Sequence, residues 1–229
     1  MTDPSAAPPP PPGGGFPPSP PGGGATPPPP AAGPAPTGGY PVHLDFGAPL
    51  EVANWRPLVH WLLVIPYAIV VAILGWALSI VAFVAFFTVV FTKRIPDGMF
   101  RFMSMCLRVS WRSSSYHYFM REPYPEWDFT SASADPGGDP ATVSIDEPGE
   151  LNRWLPFVKW LLAIPHYVVL FFLFIGLSFV VLIGFFAVLF TGRWPEGLRE
   201  YVVGVHRWGL RVVAYIFYMT DEYPPFSLD

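Results

Sequence analysis

The chain has 229 residues, of which 52% are hydrophobic and only 13% are charged, and its formal net charge is −4. Soluble globular domains carry about 25% charged residues, so a soluble enzyme is close to excluded and an integral membrane protein is favoured. The acidic balance offers no basic surface to nucleic acid, and the single cysteine, Cys106, cannot form an internal disulfide.

Residues 1–39 form a tail of proline runs, such as Pro8–Pro12 and Pro27–Pro30, separated by triple-glycine blocks. Proline runs favour extended polyproline helix, and glycine blocks act as swivels between them. The tail has no apolar surface to offset the entropy of ordering, so it is predicted to be disordered. It also lacks the basic start and apolar run of a secretory signal. A solvated spacer is the favoured interpretation, and a docking tail for a partner with aromatic grooves is the alternative.

An internal duplication follows the tail. Residues 41–125 align with residues 140–224 at a constant offset of 99 without a gap, and more than a third of the aligned positions are identical. The identical positions include many tryptophan, proline and arginine residues. We therefore predict two copies of one structural unit, with repeat 1 over 40–125, an acidic linker over 126–139 and repeat 2 over 140–229.

Each repeat is predicted to contain the same elements. In repeat 1 an alternating segment, residues 42–46, is typical of a short strand outside the membrane. A tryptophan-rich interfacial segment then leads to Pro66. The charge-free stretch that follows predicts a spanning helix over about 66–91, which suits a hydrocarbon core about 30 Å thick. The corresponding helix of repeat 2 is predicted over about 165–190.

A second helix is predicted in each repeat, from Pro96 to about Met120 and from Pro195 to about Met219. It carries a stripe of arginines on one face. Each arginine at mid-membrane costs about 2.5–3.5 kcal/mol, which favours an amphipathic helix lying at the interface. However, if only the first helix of each repeat crossed the membrane, the second copy would be inverted in the membrane relative to the first. Similar sequences suggest similar surroundings, so parallel copies with two crossings each are favoured.

The favoured prediction is therefore an all-α integral membrane protein of two tandem helical hairpins. It has four transmembrane helices, short extramembrane strands and the disordered proline- and glycine-rich N-terminal tail. A second helix that lies at the interface in each repeat stays the alternative.

The arginine stripe is the strongest candidate for a binding site. Its functional interpretation is contact with anionic lipid headgroups such as cardiolipin, or with acids on a partner subunit. Snorkelling of the long side chains to the interface is the alternative. The candidate contacts are Arg108, Arg112, Tyr116, Arg207, Arg211 and Tyr215.

No enzyme, cofactor or metal site is predicted. His166 is the most suggestive histidine, but its repeat mate is Tyr67 and the other histidines share no ligand spacing. The sequence has no nucleophile motif, no phosphate-binding glycine loop and no paired carboxylates.

Three segments of repeat 2 resemble one family of bacterial membrane domains, the domain of unknown function numbered 4389, which occurs in tandem. They are the Trp-Leu-Leu-Ala-Ile-Pro-His-Tyr run at 160–167, the turn at 190–197 and the Tyr-Pro-Pro-Phe-Ser-Leu end at 223–228. Repeat 1 departs from the pattern at Tyr67 and Lys93. The resemblance covers both repeats but not the tail, and it implies no activity. The architecture as a whole also resembles an accessory factor of bacterial respiratory supercomplexes of the cytochrome bc and oxidase type.

We therefore expect a non-catalytic accessory or structural subunit of a larger bacterial membrane complex, with a respiratory-chain supercomplex as the named candidate. An anionic-lipid-binding or envelope-organising protein is one alternative, and a small transporter or channel is another. The expected location is the bacterial inner (plasma) membrane, multi-pass, with the tail in the cytoplasm. Membrane lipids and other integral membrane subunits are the expected partners, and nucleic acid is not.

Overall fold

The computed structural model describes residues 39–229, so nearly all of the tail predicted over 1–39 lies outside the described residues. Repeat 1 contains β1 (Val42–Phe46), α1 (Arg56–Leu63), α2 (Ile65–Thr92) and α3 (Asp97–His117). Repeat 2 contains β2 (Ala141–Ile145), α4 (Pro156–Leu162), α5 (Ile164–Thr191) and α6 (Glu196–Ile216). The two sets of bounds differ by the same offset to within one residue, so the tandem organisation is confirmed.

Proline and a left-handed residue set the limits of the long helices. Pro66 lies in the first turn of α2, where the missing N–H has no helical partner to lose. The helix ends at Lys93, whose φ of 59° is left-handed, and α5 ends in the same way at Gly192 with a φ of 67°. Glycine adopts this conformation without strain, whereas lysine does not, so the departure at Lys93 costs repeat 1 some stability.

Only α2 and α5, among the described residues, are long and apolar enough to cross a membrane. The sequence predicts four transmembrane helices, but only these two have the length and hydropathy of one. The difference lies in α3 and α6, which are long enough at 21 residues each but place polar and charged side chains against the rest of the protein. Arg108 and Arg112 of α3, for example, bind carbonyl and carboxylate groups of the same chain.

The two strands pair with each other in an antiparallel two-stranded sheet. Leu44 lies opposite Val143, and Val42 lies opposite Ile145. Leu44 and Val143 are equivalent positions of the two repeats, so a pseudo-two-fold axis passes through the centre of the sheet. One face of the sheet is buried against α3 and α6, while the other exposes Asp45.

Backbone hydrogen bonds join the end of each long helix to the start of the other repeat. The Val52 N–H donates to the Gly192 carbonyl (2.9 Å), and the equivalent Leu151 N–H donates to the Lys93 carbonyl (2.8 Å). Helix α1 lies against α5, and α4 lies against α2. Each long helix therefore ends beside the segment that leads into the other one, so α2 and α5 run in opposite directions.

The long helices bury only a narrow stripe each. In α2 the buried residues follow one face towards α3; they are Tyr67, Leu78, Ala82, Ala85 and Val89. The rest of its circumference is exposed, with Trp76 77% and Phe91 76% exposed. Helix α3, in contrast, is buried along most of its length. The core of the protein thus lies around α3, α6 and the sheet, and the outer surface of α2 and α5 is apolar.

Candidate functional site

The arginine stripe of repeat 1 lies inside the protein. The Arg112 side chain is fully buried, and its guanidinium faces three aspartates of the linker, Asp128 at 3.1 Å, Asp135 at 3.3 Å and Asp139 at 3.9 Å. Its Nε also donates to the Ala141 carbonyl in β2 (3.4 Å). Arg112 therefore joins α3 to both the linker and the sheet.

Two more arginines complete this cluster. Arg108, also fully buried, donates to the carbonyls of Thr130 and Ala132 in the linker. Arg121, just after α3, binds the Asp139 carboxylate with both terminal nitrogens of its guanidinium. We call these six residues the arginine–aspartate network: Arg108, Arg112, Arg121, Asp128, Asp135 and Asp139. Three positive groups meet three negative groups, so the network is electrically balanced, as buried charges must be to be tolerated.

The aspartates of the network also bind backbone N–H groups. Asp135 accepts hydrogen bonds from Val143 (3.0 Å) and Gly137 (2.9 Å), and Asp139 accepts one from Ala141 (2.8 Å). Burial acts to raise the pKa of the Asp128 carboxyl, but hydrogen bonds from Thr130 and Arg112 outweigh it and hold this pKa below its usual value. The network therefore fixes the path of the linker between α3 and β2.

The same stripe has different surroundings in repeat 2. Arg207 donates to the carbonyls of Leu44 (2.9 Å) and Leu228 (3.0 Å) and lies 3.5 Å from the exposed Asp45 carboxylate. Arg211 lies over the ring of Tyr40, 5.6 Å from its centroid, and its Nε has no partner among the described residues. Tyr40 occupies the position that Asp139 has in the other repeat, so Arg211 lacks the carboxylates that surround Arg112.

The two tyrosines of the stripe are buried where α1 meets α3 and α4 meets α6. Tyr116 stacks on the His60 ring at 4.1 Å, and its carbonyl accepts a hydrogen bond from His60 Nδ1 (3.0 Å). In repeat 2 the position of His60 is occupied by Lys159, which lies over the Tyr215 ring and pairs with Asp221 at 2.9 Å. Both tyrosines therefore hold a short helix against a stripe-bearing helix.

Burial lowers the pKa of His60 from 6.5 to about 4, although the hydrogen bond to the Tyr116 carbonyl opposes the shift. The unfolded chain takes up this proton near pH 6.5, so the contribution of neutral His60 to stability is lost as the pH falls from 6.5 to 4, by up to about 3 kcal/mol. We expect the thermal midpoint in detergent, followed by circular dichroism, to fall over this range. The fall should be smaller in His60→Phe and unchanged in His43→Phe, whose histidine is partly exposed. Equal pH dependence in all three proteins would contradict the assignment.

The lipid or partner contacts predicted for the stripe stay a prediction. The structure brings Arg108 and Arg112 together with the linker, and it buries Tyr116 and Tyr215 separately at the short helices. Only Arg207 and Arg211 remain partly accessible. The functional residues that sequence reasoning missed are the three linker aspartates and Arg121. Their signal is the presence of three aspartates in the linker that follows an arginine-rich helix.

His166 is buried among aromatic side chains. Its Nδ1 accepts a hydrogen bond from Trp208 Nε1 (3.0 Å), and its ring stacks on Phe226 at 4.1 Å. Within residues 39–229, no three or more His, Cys, Asp or Glu side chains are grouped to hold a metal ion. His166 is thus occupied by aromatic contacts between α5, α6 and the C-terminal segment.

Comparison with curated proteins and with solved structures finds no match for this chain. A family model described as Domain of unknown function (DUF4389) matches residues 54–128 and 154–227. These regions run from just before each short helix to beyond each stripe-bearing helix, and together they cover more than half of the chain. The tandem resemblance expected from the sequence is confirmed, and the chain belongs to the DUF4389 family, of whose domain it carries two copies.

Proposed function

We propose that the protein is a non-catalytic structural protein of the bacterial plasma membrane that acts as an accessory subunit of a larger membrane complex. The observation that carries this proposal is the contrast between its interior and its surface. Inside, Arg112 and Lys159 are paired with carboxylates of the same chain. Outside, α2 and α5 present long apolar faces to the membrane.

The interior acts as a rigid frame for these faces. The arginine–aspartate network ties the linker to α3 and β2, and the sheet ties the two repeats together. Exposed aromatic side chains line the long helices and supply large, stiff contact surfaces for lipid or for other integral membrane subunits. In α2 and α5 they include Trp76, Phe83, Phe91, Phe172, Phe179 and Phe190.

A respiratory-chain supercomplex is the proposed complex, and the support for it is the likeness in architecture, a proline-rich tail followed by a duplicated membrane unit. A cytoplasmic position of the tail belongs to the same proposal. The test is extraction of the tagged full chain from native membranes in a gentle detergent, followed by native electrophoresis and mass spectrometry. We expect it to migrate with a larger membrane complex that shows haem absorption. Migration as a lone protein of 25.4 kDa would contradict the proposal.

An anionic-lipid-binding role is the second candidate, and Arg211 favours it. This guanidinium is half-buried, and Tyr40 stands where Arg112 has a carboxylate. A lipid phosphate would supply the missing negative charge. We expect Arg211→Gln to lower the amount of cardiolipin that co-purifies with the protein. Arg101→Gln is the matched control, because Arg101 is exposed and already paired with Glu147. Equal lipid in wild type and Arg211→Gln would remove this candidate.

A further inference from the structure

We propose that the protein is embedded in a single leaflet, with α2 and α5 lying in the plane of the membrane so that neither helix crosses it. The partner of the apolar surface is then one lipid leaflet, which covers α1, α2, α4 and α5. The inference rests on the proposed membrane location, and it does not depend on a partner complex. It follows from where the pseudo-two-fold axis places the charged groups.

The axis passes through the sheet between Leu44 and Val143. It exchanges α2 with α5, and these helices run in opposite directions. A two-fold rotation reverses the direction of a helix only when its axis is close to perpendicular to that helix. The axis therefore meets the pair of long helices about halfway along their length, and the sheet lies level with their midpoints. In agreement, Arg207, next to the midpoint of α6, donates to the carbonyl of Leu44 at the centre of the sheet (2.9 Å).

If the long helices crossed the membrane, the sheet would consequently lie level with the centre of the bilayer. The outer face of the sheet carries Asp45, whose side chain is 75% exposed, and Asp146 and Glu147 follow β2 with side chains that are 42% exposed. Exposed carboxylates at that depth are strongly disfavoured. The irregular linker backbone over 126–139 would also lie at hydrocarbon depth, where unpaired backbone groups are not tolerated.

Long helices that lie in the membrane plane remove both problems. The axis then points along the membrane normal, the exposed face of the sheet meets water, α3 and α6 form the middle layer, and α2 and α5 enter the lipid. Both repeats occupy the same depth and the same surroundings, as their shared sequence requires. The buried arginines Arg108 and Arg112 never enter hydrocarbon, so the repeats need no second crossing to stay equivalent.

The chemistry of the apolar layer fits a leaflet. Ile69, Trp76 and Phe83 are spaced by seven residues and share one exposed face of α2. The exposed indoles of Trp61 and Trp160 in the short helices donate to carbonyls of their own helices, at 2.6 and 2.8 Å, so lipid contact leaves no unpaired N–H. A helix is about 10–12 Å across with its side chains, close to the depth of about 5–10 Å at which interfacial helices are buried.

Cysteine accessibility tests this placement in the full chain. In a Cys106→Ser background, single cysteines replace Asp97 after α2, Ser131 in the linker and Glu196 after α5, all of which are exposed. Right-side-out and inverted membrane vesicles are labelled with a membrane-impermeant maleimide. We expect all three positions to react from the same side. Reaction of Asp97→Cys and Glu196→Cys from opposite sides would show two crossings. Reaction of both from the side opposite Ser131→Cys would show four crossings. Either result would overturn the proposal.

A depth measurement provides an independent readout that does not depend on vesicle orientation. Nitroxide labels at Ile69, Trp76 and Phe83 are compared in liposomes of phosphatidylcholine and cardiolipin, with a label at Asp45 as the water-exposed control. We expect equal depths at the three helix positions. A label at Trp76 that lies deepest, with shallower neighbours on both sides, would overturn the proposal. If these results hold while native electrophoresis finds the protein alone, only the accessory-subunit proposal fails.

Discussion

Arg112→Met is expected to be among the most destabilising single substitutions in this protein, because it leaves three carboxylates without their shared positive partner. Removal of one member of a buried ion pair costs about 3–5 kcal/mol, since the remaining charge stays buried. For a chain of this size that corresponds to a fall of about 6–20 °C in the thermal midpoint. The measurement is thermal unfolding in detergent, reported by a fluorogenic maleimide on Cys106, which is 2% exposed in the folded protein.

Arg211→Met is the matched control, because Arg211 occupies the equivalent position in repeat 2 but packs on Tyr40 without a carboxylate in contact. We expect its thermal midpoint to fall much less. The exposed pair of Arg101 and Glu147 provides a second control, for which the loss should be below about 1 kcal/mol. Similar losses for Arg112→Met and Arg211→Met would show that the three aspartates do not distinguish the two repeats.

Gly184→Ala is also expected to destabilise the protein, though less than Arg112→Met, because the added methyl group would overlap the ring of Trp194. Trp194 has no room to move. It is fully buried, its Nε1 donates to the Phe119 carbonyl at 3.0 Å, and its ring stacks on Phe119 at 5.5 Å. Overpacking of this kind costs about 1–3 kcal/mol. Since Trp194 of repeat 2 contacts Phe119 of repeat 1, the substitution should loosen the junction between the repeats, which the Cys106 labelling assay detects.

Repeat 1 fills the same place with different residues, Ala85 and Ile95. The double variant Gly184→Ala with Trp194→Ile places the residue types of repeat 1 at the equivalent positions of repeat 2. Trp194→Ile alone should lose stability because it leaves a cavity. We expect the double variant to be more stable than the sum of the two single effects predicts, by about 0.5–3 kcal/mol, because the groups are in direct contact. Strict additivity would contradict the predicted overlap.

The elements of each repeat could be predicted from the sequence because their signals are local. A charge-free stretch after Pro66 predicts a helix over about 66–91, and the structure has Ile65–Thr92. Pro96 followed by Asp97 predicts the next helix start, which the structure places at Asp97. Alternation predicts the strand at 42–46. The constant offset then carries each of these features into repeat 2.

The partners of the arginines could not be predicted in the same way. Arg112 meets Asp128 and Asp135 only because the linker folds back over α3, and no local pattern specifies that path. Without those partners, each arginine had to be assigned to lipid, to another subunit or to the interface. In the structure, Arg108 and Arg112 of repeat 1 lie in the interior.

The number of spanning helices depends on the same long-range information. Hydropathy distinguishes α2 and α5 from α3 and α6, but it does not show that α3 is enclosed by the protein. The pairing of β1 with β2 is also invisible in either strand alone. It requires both repeats to be present. The repeat pattern predicts parallel copies whose long helices run in the same direction, and this is wrong, because the long helices run in opposite directions.

The pseudo-two-fold arrangement has a consequence for the origin of the chain. The strand pairing and the contacts at the ends of the long helices are of the self-complementary kind that a symmetric homodimer forms, with strand against equivalent strand and helix end against equivalent helix start. A chain with one copy could build this frame by associating with a twin. Joining two copies in one chain allows the halves to differ, and the first half has Tyr40 and His60 where the second has Asp139 and Lys159.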